Sequence, residues 1–186
     1  MTTATATPAK LLTADEFAAL PDDGRHTELV RGVIIEMPPP KPAHGYICTN
    51  FSREISNYVR ARDLGRVVSN DSGVVTERGP DTVRGADVAF YSYARVPRGP
   101  LPDGYWPTPE LVIEVRSPSD RLPALAAKAL EYIAAGAVLA CVVDPETESV
   151  AVFPDNDLPR RLSNGDELTL PEVFPDFSVP VRQFFT

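Results

Sequence analysis

The chain has 186 residues, enough for one domain with a core of its own. With 43% hydrophobic and 24% charged residues it is not a disordered chain, and no apolar run approaches the ~20 residues that cross a bilayer. A formal net charge of −8 argues against a constitutive nucleic-acid binder with a broad basic face. It does not exclude a nuclease, because a carboxylate site filled by a divalent cation adds to the negative total.

Met1 to Lys10 are small and polar, with no apolar stretch of a secretory signal. They read as a disordered tail before a single domain over residues 11–186, and the cytoplasm is the expected compartment. Thr13-Ala14-Asp15-Glu16 has the spacing of a capping box, so a short helix should run to Leu20 and end before Pro21 and the turn Asp22-Asp23-Gly24. Glu28 to Met37 reads as a hairpin turning at Arg31-Gly32, and Pro38-Pro39-Pro40-Lys41-Pro42 as a stiff connector. From His44 to Arg62, Ile47, Phe51, Ile55, Tyr58 and Val59 form one helical stripe, which Gly65 should end.

Short strands are expected at Arg66–Ser69, Gly73–Thr76 and Ala86–Tyr91. The five prolines of Pro97 to Pro109 predict a loop, with Trp106 as a packing lid or a stacking platform. Leu111–Val115 is an apolar strand interrupted by one acid, Leu122–Ala135 a helix, and Val138–Val143 the most apolar and hence central strand. Ser149–Phe153 should pair with it, and Asn164-Gly165-Asp166 should turn between two last short strands. The order predicts a mixed α/β sheet with helices packed against it. Cys48 and Cys141 lie in apolar surroundings with no CxxC spacing, and we expect buried free thiols with no histidine beside them.

Two acids occupy strand positions that normally hold apolar residues, Asp87 in Gly85–Phe90 and Glu114 in Leu111–Arg116. Burying a carboxylate costs several kcal/mol unless a cation or strong donors compensate. On neighbouring strands the pair can share a hard divalent cation. Alternation places Glu114 and Arg116 on one face, with Ile113 and Val115 on the other.

Several segments then follow in a familiar order: Thr27-Glu28-Leu29-Val30-Arg31-Gly32, His44-Gly45, Ala86-Asp87-Val88-Ala89-Phe90, and Pro109 to Asp120 with its Glu114-Val115-Arg116-Ser117-Pro118-Ser119 core. Lys128 and Tyr132, Ala135-Gly136-Ala137 and Val143-Asp144-Pro145 complete the series. From about Leu12 to Phe185 the chain resembles the Uma-two family of restriction endonucleases, within the PD-(D/E)XK nuclease superfamily. The resemblance implies a restriction-endonuclease-like fold with a central mixed β-sheet flanked by helices. It implies Mg²⁺, or Mn²⁺ in its place, between Asp87 and Glu114, with Glu28 offering a third carboxylate. It also implies a homodimer acting on DNA by phosphodiester hydrolysis.

Ala86 stands where a proline often precedes the Asp, and Arg116 where the motif has its lysine. Arginine stays protonated and cannot act as a base, though it can meet a phosphate. The resemblance assigns the lysine to Lys128, on one helical face with Tyr132. His44, at a helix start, either meets a substrate phosphate or is a plain surface side chain. Ser117 either donates to substrate or turns the chain before Pro118. Arg60, Arg62, Arg66 and Arg160-Arg161 either meet a DNA backbone or are solvated. Beside the endonuclease stand two alternatives: an inactive nuclease-fold binding or assembly module, and a carboxylate metalloenzyme acting on a small phosphate ester.

Overall fold

The computed structural model describes residues 10–186 apart from Asp22. The expected tail, Lys10 excepted, and the Asp22 position of the expected turn lie outside the described residues. Thr13 caps α1 (Ala14–Ala18) in the expected box, its hydroxyl accepting the Glu16 N–H while its own N–H donates to the Glu16 carboxylate. The hairpin forms as β1 (Thr27–Val30) and β2 (Val33–Glu36), turning through Arg31 and Gly32 in left-handed conformations.

Helix α2 (Pro42–Arg62) buries Ile47, Phe51, Ile55 and Val59 of the expected stripe, with Tyr58 half-buried against the same core. Its cap is not Gly65 but Asp63, at φ 54°. Gly65 instead opens β3 (Gly65–Glu77), because a Cβ there would sit 2.0 Å from the Tyr91 carbonyl oxygen on the adjoining strand. The two short strands expected here are one, interrupted by a bulge at Asn70 and Asp71, both at positive φ. Asn, Asp, Ser and Gly mark a turn and a bulge with the same residues, so the sequence signal was ambiguous.

Strand β4 (Thr82–Ser92) runs antiparallel to β3 along its length. Its other edge is shared: Val83 pairs with Leu29 of β1, while Val88–Phe90 pair with β5 (Leu111–Val115). Between these pairings, at residues 84–87, the sheet forks. Strand β6 (Leu139–Asp144) continues it in parallel with β5, and β7 (Ser149–Pro154) and β8 (Arg160–Leu162) follow antiparallel, giving the order β2-β1-β4-β5-β6-β7-β8. The apolar β6 is buried throughout, as its composition predicts.

Two apolar layers cover this sheet. On one face α2 packs with Val88, Phe90, Ile113, Val115, Cys141 and Val143. On the other, α3 (Leu122–Ala134) packs Leu125, Ala129 and Tyr132 against Ala89, Val112 and Val142. The turn at Asn164–Asp166 does not close a hairpin. Strand β8 stays in the main sheet, whereas β9 (Glu167–Leu170) pairs with β10 (Phe174–Pro180) in a second, two-stranded sheet. Buried Leu168, Leu170, Phe174 and Phe177, with a final 3₁₀ turn (Val181–Phe184), complete the α2 layer. Trp106 packs edge-on to Tyr91 beside the α3 layer, its indole N–H on the Pro102 carbonyl. No helix among the described residues is long and apolar enough to cross a membrane.

Candidate active site

The fork in the sheet leaves backbone groups of β4 without strand partners on one edge, and side chains take their place. Gly85 donates its N–H to Glu28 Oε1 at 3.1 Å. Its carbonyl accepts from Lys128 Nζ at 2.9 Å and Tyr132 OH at 3.3 Å. A Cβ at Gly85 would lie 3.0 Å from Asp71 Cβ, so the missing side chain lets the β3 bulge press Asp71 against the site.

Alternation along β4 also slips here. Ala86 and Ala89, three residues apart, both face the α3 layer, whereas Val88 and Phe90 face α2. Asp87 lies at the slip and reaches sideways into the fork. Its Oδ2 accepts the Val115 N–H at 2.7 Å and lies 3.2 Å from His44 Nε2, which arrives from the first turn of α2. Among the described residues nothing donates to its Oδ1.

Glu114 shares a face with Val112, toward α3. Its Oε2 receives Lys128 Nζ at 2.9 Å and its Oε1 the Tyr132 hydroxyl at 2.8 Å. Lys128 also meets Glu28 Oε1 at 2.9 Å, so its three N–H bonds have three acceptors: Glu28, Glu114 and the Gly85 carbonyl. Asp87, Glu114 and Glu28 are 6%, 4% and 7% exposed, and the cation offsets what would otherwise be an unfavourable burial of like charges.

Arg84 extends the network, meeting Glu28 Oε2 at 2.9 Å and both oxygens of Glu131 at 2.8–3.2 Å. The Thr76 hydroxyl also donates to Glu131.

Burial, reinforced by the Asp87 charge, pushes the Glu114 carboxyl up to about 7, against the pull of Lys128 and Tyr132. Burial and Asp87 likewise raise Asp71. Burial opposes the Lys128 ammonium, but Glu114 and Glu28 hold its pKa above that of a free lysine, so it is a fixed positive charge rather than a base. The hydrogen bond to Asp87 raises His44.

The donors here are of two kinds, a mixed group at α2 and the carboxylates of the cavity. His44, Cys48 and Asp87 offer nitrogen, sulfur and oxygen within 4.8 Å of one another. His44, however, turns Nδ1 to the Cys48 thiol at 3.4 Å and Nε2 to Asp87, so the ring does not aim one lone pair at both neighbours. Burial, then the charges of Asp87, Asp71 and Glu114, push the Cys48 thiol well above its ordinary value, which disfavours the thiolate a soft metal needs. The remaining donors that line the same cavity include the carboxylate oxygens of Asp87, Asp71 and Glu114, and hard oxygen ligands are the kind that Mg²⁺ and Mn²⁺ take.

One cavity thus brings together Asp87, Glu114, Lys128, Glu28, His44 and Ser117. Ser117 uses its N–H on Asp120 Oδ2 at 2.8 Å, the turn role, and the residue lines the cavity. Arg116 is not brought in. It follows the end of β5, and its guanidinium is held by Asp144 at 2.9 Å and Glu146 at 2.7 Å, away from the cavity lining. The other arginines are dispersed: Arg62 lies over the Tyr58 ring, Arg66 donates to the Pro97 and Gly99 carbonyls, Arg160 pairs with Glu172, and Arg161 donates to Thr147 and Ser149.

Sequence reasoning missed Asp71, Arg84 and the His44–Cys48 contact. Only the last had a usable signal: the two residues are four apart, hence one helical turn, so a histidine does lie beside this half-buried thiol. Cys141 is buried and free, as expected.

The family described as "Uma2: Putative restriction endonuclease" matches residues 14–182. Among solved structures the chain is similar to one described as a putative nuclease belonging to DUF820 from Anabaena variabilis. The TM-score is 0.81 at 20% identity, over 94% of this chain and 97% of that one. No curated protein sequence matches.

Proposed function

Because the chain belongs to the Uma2 restriction-endonuclease family, we propose that it is a divalent-metal-dependent DNA endonuclease acting through Asp87, Glu114, Lys128 and Glu28. What supports this reading is the meeting of three buried carboxylates and one ammonium at the fork of the sheet. Asp87, with its free Oδ1, and Glu114 would hold Mg²⁺ or Mn²⁺, and Asp71 stands close enough to add charge. When bound, the ion lowers the pKa of a water and offsets charge on the scissile phosphate.

The chain's own groups do the rest. Lys128 is locked by three acceptors and supplies a preorganised positive charge for the phosphorane-like transition state. Tyr132 and Lys128 fix the Glu114 rotamer, and Glu28 fixes Lys128. His44 and the Val115 N–H orient Asp87 through one oxygen, leaving the other for the metal. Arg116 takes no part.

Calorimetric titration of Mg²⁺ and Mn²⁺ into wild-type and Asp87→Ala protein, beside a plasmid-cleavage assay, tests this. Saturable binding that Asp87→Ala removes, with metal-dependent nicking, is expected. No binding at millimolar metal would instead leave the inactive binding module. One observation favours that second reading: both Glu114 oxygens already hold hydrogen bonds within the protein. Hydrolysis confined to a small phosphate ester would point to the third class.

A further inference from the structure

The walls of the same cavity carry a signal that the acidic floor does not explain. The space is about 720 Å³, within the range of sites that enclose small organic ligands. Edge strand β2 and the connector after it supply one wall, with Ile35, Met37 and the three prolines Pro38–Pro40. Ile35 and Met37 are two residues apart, so they share a face in extended chain. They are 42% and 38% exposed, and both line this cavity. Apolar side chains opening onto a polar site mark a surface that a ligand covers. Across from them α3 presents Ala124 and Ala127, one turn apart, which leave the space beside Lys128 open.

The charge at this cavity is equally selective. Arg84 and Lys128 are already engaged by Glu28, Glu114 and Glu131. Lys41 and Arg121 also line the space, and neither has an ion-pair partner among the described residues. They occupy the N-cap positions of α2 and α3, and neither helix has an acid in its first turn. A cation there has the wrong sign for the helix dipole, so helix stability does not account for the pair.

An intact duplex keeps its bases stacked inside and shows a protein only phosphate, sugar and groove edges. The Ile35–Met37–proline wall would have no partner on it, and two free cations are few for a duplex binder. A nucleotide turned out of the stack has both an apolar face and flanking phosphates.

We propose that the cavity takes one unpaired nucleotide of a DNA strand. Its base lies on the wall of Ile35, Met37 and the prolines, and its flanking phosphates face Lys41 and Arg121. The substrate is therefore single-stranded or locally opened DNA. This rests on the nuclease reading above for what happens to the phosphate, but the binding step stands apart from cleavage.

The test is fluorescence anisotropy of full-length protein in EDTA. A labelled single strand of about 12 nucleotides is compared with the blunt duplex of the same sequence over a salt series. The single strand should bind at least about tenfold more tightly, with a log–log salt slope of about −1.4, or 0.7 for each of two phosphates. Ile35→Ser/Met37→Ser should bring the single strand down to the duplex level while Mn²⁺ affinity stays unchanged. Lys41→Ala/Arg121→Ala should flatten the salt slope toward zero. All four side chains are exposed, so a circular dichroism melt close to wild type is expected of both variants.

Equal or tighter duplex binding, no strand binding at all, or a strand preference that survives Ile35→Ser/Met37→Ser would overturn the inference. Strand preference without Mn²⁺ binding would sink only the nuclease reading. Metal-dependent cutting of intact duplex, indifferent to the Ile35/Met37 change, would sink only this one.

Discussion

Two stretches of one sheet are buried to a similar depth and carry opposite chemistry. Along β6, Leu139 to Val143 are all neutral and each is under 5% exposed. At the fork, Asp87 and Glu114 are about as hidden, yet both are acids ringed by donors. The difference lies in the ladder. Strand β6 has a partner on both edges, β5 and β7, from Leu139 to Val143. Strand β4 keeps β3 on one edge but has no strand partner on the other at residues 84–87, and the Gly85 carbonyl and N–H there recruit Lys128, Tyr132 and Glu28. Burial alone does not mark a site; burial where backbone pairing fails does.

The largest expected effect comes from Lys128→Met, which strikes fold and activity together. It leaves Glu28 and Glu114 facing each other without their cation, and breaking such a buried pair costs about 3–5 kcal/mol. Chemical denaturation should show that loss, and metal-dependent cleavage should vanish. A loss under ~1 kcal/mol would show that the fork is solvated and unlike β6.

Phe51→Ala probes the apolar side alone. Phe51 stacks on Phe184 with centroids 3.8 Å apart, and truncating a buried Phe costs about 3–5 kcal/mol. Stability should fall while Mn²⁺ affinity, measured well below the melting transition, holds.

Asp87→Ala is the converse. Lost bonding to the Val115 N–H is offset by relief of repulsion with Asp71 and Glu114, so stability should move by no more than about 1 kcal/mol. Cleavage should drop at least about a hundredfold.

The smallest effect is on acid unfolding. Burial raises Glu131, but Arg84 and Thr76 outweigh it and hold the carboxyl below its ordinary value. Burial likewise opposes Glu28, and Lys128 and Arg84 win. A depressed folded pKa gives stability that is present above the unfolded value and lost as pH falls through the folded one. Melting temperature should therefore decline from about pH 5 toward pH 3, and Glu131→Gln should make that decline shallower.

Much of this architecture was legible because it rests on local signals. The Thr13 capping box, the α2 stripe and the apolar runs of β5 and β6 all formed where expected. At the site, Asp87 and Glu114 stood out as acids in apolar strands, and the spacing of Lys128 and Tyr132 put both on one helical face. What escaped reading depended on pairing. The long β3 was disguised by its bulge, and the partner of β9 turned out to be β10 rather than β8. Asp71 looked like a turn residue. Arg84 looked like one charge in a strand until Glu28 and Glu131, distant in sequence, closed around it. Arg116 followed the alternation of β5 on paper, but the strand ends at Val115, and Asp144 at the end of β6 and Glu146 just beyond it claim the guanidinium.

The extra residue that β3 carries at Asn70–Asp71, opposite Asp87, sets a condition on the site. A flawless ladder would keep β4 in step from end to end and turn Asp87 squarely toward one layer or the other, a carboxylate locked in hydrocarbon. Irregularity here is what grants the carboxylate a third direction. Excising Asn70 would thus be a change of geometry with no loss of any acid, and it should silence the proposed metal site while the rest of the sheet holds its shape.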